Sequence, residues 1–187
     1  VSDKLEAIEV VIKFLNDSNS KTLLMKGYDN DAKLRVVLSC LNKHFDKGII
    51  RTSSMSNIPD LINGTFNKRL LPNTIKSTAV YRIGKITVNI SSYTTNTSKN
   101  PLGNHNTFTI FFPVQTVLDD SKRYKKFLTE LKNTNSKKVI LITTNEWGIE
   151  NWDIENQVDQ VFFYSVEEDN PQLMNNLRSN GAIPRLV

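Results

Sequence analysis

The chain has one cysteine and two histidines among its 187 residues. A single thiol has no intrachain partner, so no disulfide framework braces the fold, and Cys40 lies among apolar residues of a predicted helix. His44 and His105 stand in different segments without neighbouring cysteines or clustered acids, which argues against a zinc centre or a metal-dependent nuclease site. No apolar run is long enough to span a bilayer. The opening VSDKLEAIEVV mixes acids with apolar residues and lacks the basic start and unbroken apolar stretch of a secretory signal. These absences together predict a cytoplasmic protein in reducing surroundings, with no membrane partner.

Positive charge is present but scattered. The net charge of +5 would favour anionic partners if it were gathered on one face. Its densest run, Lys122-Arg123-Tyr124-Lys125-Lys126, falls on an amphipathic helix, where such a run is ordinarily the solvated face. Lys122, Arg123, Lys125 and Lys126 are therefore the candidate nucleic-acid contacts, set against that plainer reading.

The apolar residues are spaced for an α/β fold. Leu5, Ile8, Ile12 and Leu15 recur at helical spacing, residues 21–26 read as a short buried strand, and Leu34, Val37, Leu38, Leu41 and Phe45 form a second helical stripe before a strand at 48–52. The middle, TAVYRIGKITVNISSY, is β-branched and aromatic with an Ile-Gly-Lys step suited to a hairpin turn. Residues 91–107 are small and polar and predict an exposed loop. Strand and helix then alternate again, through FTIFF and VILIT, which are apolar on both faces as expected of strands covered by helices on both sides. Asn170-Pro171 opens a last helix that stops before Gly181. The expected architecture is a single α/β domain over 1–187, a three-layer sandwich with a mostly parallel sheet, with 78–107 as an inserted antiparallel hairpin and polar loop.

Between the first strand and second helix lies Gly27-Tyr28-Asp29-Asn30-Asp31-Ala32-Lys33-Leu34, which has the length of a Walker A loop, G-x-x-x-x-G-K-[ST]. With a strand before it and a helix after it, the chain resembles P-loop NTPases, especially the AAA+ type, in element order over most of its length. The resemblance implies that Gly27, Ala32, Lys33 and Leu34 would surround a nucleotide phosphate, and that Asn145, after the strand 139–143, would take the place of a sensor residue. The motif is degenerate. Ala32 replaces the glycine that lets amides approach the phosphates, Leu34 replaces the hydroxyl that holds magnesium, and Asp29 and Asp31 add charge that repels phosphate. The strand 108–112 is followed by Pro113-Val114-Gln115 where a Walker B carboxylate is expected. The implied cofactor is accordingly none, or weakly bound ATP or ADP, with no catalytic and no metal-ligating residues. The implied function is a noncatalytic interaction or assembly module with a protein partner, in DNA replication or mobile-element maintenance. A working nucleotide-binding protein and a basic nucleic-acid-binding protein are the alternatives.

Trp147 and Trp152 follow the end of a core strand, where ligands meet open α/β sheets, and are candidates for partner contact or for plugging the sheet end. Asp119-Asp120 is placed to cap the helix at Ser121 rather than to act as a paired-carboxylate site.

Overall fold

A computed structural model of the chain describes residues 2–95, 101–115, 120–144, 146 and 152–185. The elements run α1 (Asp3–Asn16), β1 (Thr22–Lys26), α2 (Asn30–His44), β2 (Lys47–Thr52), α3 (Ile58–Phe66), β3 (Val80–Ile83), β4 (Ile86–Ser92), β5 (Thr107–Phe111), α4 (Ser121–Asn133), β6 (Lys138–Ile142), β7 (Gln160–Phe163) and α5 (Pro171–Ser179). Helix starts follow local capping chemistry. Ser2, Asp29, Asp120 and Asn170 each accept a backbone N–H of the first turn, and Pro171 stands at the start of α5 where a missing N–H costs nothing.

The strands form one seven-stranded sheet in the order β3-β4-β2-β5-β6-β1-β7. Every neighbouring pair is parallel except the β3–β4 hairpin. The expected α/β architecture is therefore present, and the inserted hairpin is continuous with the sheet, because β4 pairs with the whole length of β2, from Lys47↔Thr87 to Thr52↔Ser92. β1 is flanked on both sides but lies one strand from the edge, since the hairpin extends the far side.

Alternation along the strands builds two apolar layers. Leu23 and Met25, Phe108 and Ile110, and Ile140 and Ile142 join α1, α2, α3 and α5 in one cluster. Leu24, Phe111, Val139 and Leu141 join Phe127 and Leu131 of α4 in the other. A period of two places successive side chains on opposite faces, so fully apolar strands require cover on both, and the helices supply it. Among the described residues no helix is long and apolar enough to cross a membrane.

Of the polar segment 91–107, residues 101–106 are exposed or half-buried as expected of a loop, while its first two residues belong to a strand. Ser91 and Ser92 are the buried end of β4. Residues 101–106 lie at the amino ends of the strands, where Asn135 N–H donates to Leu102 O at 2.7 Å and Lys137 N–H donates to Asn104 O at 3.2 Å. Backbone hydrogen bonding thus ties residues 101–106 to the segment before β6.

Candidate functional site

Parallel pairing brings the carboxyl ends of β5, β6, β1 and β7 together with the amino end of α2. Gly27 turns the chain out of β1 with φ of +140°, and a Cβ there would lie 2.5 Å from Tyr164 O. Its glycine identity is thus demanded by the close passage of the chain after β7. α2 begins at Asn30, so the helix takes up much of what a phosphate loop would leave open. Asp29 accepts Ala32 N–H at 3.0 Å through its own carboxylate, and Lys33 N–H donates to Asp29 O at 3.1 Å. These amides serve the helix cap. Leu34 is buried in the core beneath α2.

Lys33 is fully buried, at 0% exposure. Its Nζ donates to Gly27 O, to Thr143 O and, at 3.3 Å, to Thr143 Oγ1, which satisfies the three donors of an ammonium. The Thr143 hydroxyl donates in turn to Glu146. Glu146 Oε1 also accepts Gly27 N–H at 2.8 Å and stands 3.9 Å from Lys33 Nζ. Burial lowers the Lys33 pKa to about 8, with the charges of Glu146 and Asp29 opposing the shift. A carboxylate of the protein thereby faces the lysine and the glycine amide that the loop would offer to a phosphate. Lys26 reinforces it, 3.9 Å from Glu146 and 2.9 Å from Glu155.

The strand β5 continues through Phe112, Pro113 and Val114, all buried, and Val114 N–H donates to Ile142 O at 3.0 Å. No acid occurs in this stretch. Among the described residues no group of three or more His, Cys, Asp or Glu side chains could hold a metal. Among the described residues, Asn30 Oδ1, Gln115 Oε1 and Thr144 Oγ1 are buried without hydrogen-bond partners; each lies beside this same edge, so its surroundings are polar.

Asn145 and Trp147 lie outside the described residues. Trp152 is half-buried and packs on Tyr124, with ring centroids 5.0 Å apart. With Lys26, Tyr28, Ile154, Glu155 and Phe163 it lines a cleft of about 380 Å³ next to Glu146. Phe163 is 43% exposed there and meets Tyr28 edge-on at 5.6 Å. Lys122, Arg123 and Lys125 are exposed along α4, Arg123 lies 3.9 Å from Asp120, and Lys126 reaches Thr94 O at 3.5 Å. None of these cations joins Lys33.

Of the predicted residues, the fold unites Gly27, Ala32 and Lys33 and brings Trp152 to the neighbouring cleft. It also adds Thr143 and Glu146, which the sequence reading missed. The signal available was an acid just past the strand that had already been singled out for its sensor-like end. Compared with known proteins, the sequence matches no family model and no curated protein. These comparisons therefore assign the chain to no family.

Proposed function

We propose that this chain is a noncatalytic P-loop NTPase-like domain that serves as an interaction or assembly module, with a protein partner at the carboxyl edge of β1 and β7. One observation carries the reading: Lys33 is spent on Gly27 and Thr143, and Glu146 stands where a phosphate would have to enter. An incoming phosphate would have to displace a carboxylate already hydrogen-bonded in a buried site, at the cost of leaving it unpaired. The strand order supports the family likeness, since the glycine–lysine strand β1 lies between the sensor-like strand β6 and the last strand β7. Without the magnesium hydroxyl and the Walker B carboxylate, transfer chemistry lacks its metal and its base.

The partner surface is the cleft around Trp152, Tyr28 and Phe163, where aromatic area is exposed beside the opposed charges of Lys26 and Glu155. Aromatic anchors of this kind dominate protein interfaces. Thermal unfolding with ATP or ADP at about 100 times a micromolar dissociation constant would raise the apparent stability by about 2.7 kcal/mol if nucleotide bound. The expected result is no shift, with or without magnesium. A shift abolished in Lys33→Ala would overturn the reading. Affinity capture from cells expressing the chain, repeated with Trp152→Ala and Phe163→Ser, tests the partner surface: a partner lost in both folded variants supports it, and one retained in both refutes it.

A further inference from the structure

The opposite edge of the sheet carries a second constellation, independent of the phosphate loop. β2, β4, β5 and β6 begin side by side there. The chain's two histidines, 61 positions apart in sequence by subtraction of 44 from 105, meet at one cleft of about 380 Å³, together with Asp46, Lys47, Asn106 and Lys137. The register fixes the lysines. Lys47 pairs with Thr107 across β2 and β5, while Lys137 N–H donates to Thr107 O at 2.9 Å from the other side. Lys85 is added by the turn before β4, where its N–H donates to Asn42 Oδ1 of α2 at 3.2 Å. His44 Nδ1–H donates to Cys40 O at 2.9 Å, which sets the orientation of its ring.

Two lysines farther along the same edge show the contrast. Lys138 Nζ is enclosed by Phe14 O, Asp17 O and Ser20 O, and Lys21 Nζ donates to Thr134 O at 2.6 Å. These side chains complete the fold. Lys47, Lys85 and Lys137 are exposed and, among the described residues, their ammonium groups make no hydrogen bond or ion pair. Asp46 is the acid that lines the cleft with Lys47 and Lys137.

We infer that this amino edge binds the phosphodiester backbone of a nucleic acid strand. Lys85 precedes β4, Lys47 opens β2 and Lys137 precedes β6, with β5 between the last two; neighbouring strands are about 4.8 Å apart, so the three cations are spread along the edge rather than converging on one point. A row of cations suits a chain of phosphates better than a single small anion. The imidazoles and Asn106 add side chains able to hydrogen-bond phosphate and sugar oxygens. The contact reads backbone, and sequence preference is not expected from it.

Fluorescence anisotropy with labelled oligonucleotides of about 20 residues, single-stranded and duplex, DNA and RNA, tests this across about 50 to 200 mM potassium chloride. Wild-type affinity should fall steeply with salt. The double variant Lys47→Ala/Lys137→Ala should bind at least about tenfold more weakly at 100 mM salt and lower the salt slope by about 2. Its thermal midpoint should stay unchanged, which separates lost contact from lost fold. The four probes distinguish the strand types that carry the same backbone. Three outcomes would overturn the inference: no wild-type binding at the lowest salt, loss in Lys122→Ala/Lys125→Ala with retention in the Lys47/Lys137 variant, or competition by inorganic pyrophosphate at the same phosphate concentration as the oligonucleotide.

Discussion

Lys33 at the carboxyl edge and Lys47 at the amino edge belong to opposite ends of the same parallel sheet, and the protein treats them in opposite ways. Lys33 has no exposed surface and is held by two carbonyls and a hydroxyl beside Glu146. Lys47 is exposed beside two histidines. Lys138, also at the amino edge but enclosed by three carbonyls, shows that position along the strands does not decide the matter. What decides is whether carbonyl oxygens converge on the ammonium. Where they do, the lysine is a structural post; where they do not, its charge remains available to a partner.

The largest effect should come from Lys138. Replacing it with Met removes the partner of three buried or half-buried carbonyls and the cation over the Phe14 ring, 4.6 Å from its centroid, and should lower the free energy of unfolding by about 4 kcal/mol. Urea denaturation checks it, and a loss below about 1 kcal/mol would place Lys138 with the solvated lysines.

Lys33→Met should cost about 3 kcal/mol, because the buried carbonyls of Gly27 and Thr143 lose their donor and Glu146 keeps only Lys26 as a cation nearby. Combining it with Glu146→Gln should restore part of the loss, and a double-mutant cycle should give a coupling of about 1–2 kcal/mol. Additive losses would mean that the two side chains do not act as a pair.

The same lysine predicts a pH dependence. Burial lowers its pKa from 10.5 to about 8, so between those values the unfolded chain binds more protons than the folded one. Stability should therefore rise with pH from about 8, by about 2 kcal/mol. Tyr164 acts the other way: burial raises its phenol to about 12, so the folded chain retains a proton that the unfolded chain loses, and stability falls above about pH 10. Urea titrations between these limits should show the rise in the wild type and not in Lys33→Met.

The smallest stability effects belong to the amino edge. Lys47→Ala and Lys137→Ala should each stay within about 0.5 kcal/mol of the wild type by the same denaturation measurement. A larger loss would show that these exposed side chains, too, are part of the frame.

The layered fold was legible because its signals are local. FTIFF and VILIT carry apolar residues on both faces, Thr109 and Thr143 aside, and the helical stripe from Leu34 to Leu41 needs no distant information. Gly27 and Lys33 stood out for the same reason. Glu146 did not, because it meets Lys33 only through the adjacency of β1 and β6, which no spacing along the chain encodes. His44 and His105 were weighed separately, as lone residues of a helix end and a polar loop, and the parallel alignment of β2 with β5 is what unites them. Trp152 illustrates an intermediate case: its place after a core strand was readable, its packing on Tyr124 was not.

The hairpin that extends the sheet also determines how it ends. β3 and β7, the outermost strands, are four residues long each, and β3 presents Arg82 on its exposed side between Tyr81 and Ile83. A sheet with long flat margins invites another chain to add itself by backbone hydrogen bonding, whereas brief margins leave too few ladder bonds to propagate. The inserted hairpin therefore acts as a terminator of β-assembly: it occupies the flank of the longer β4 with a strand too short to template growth.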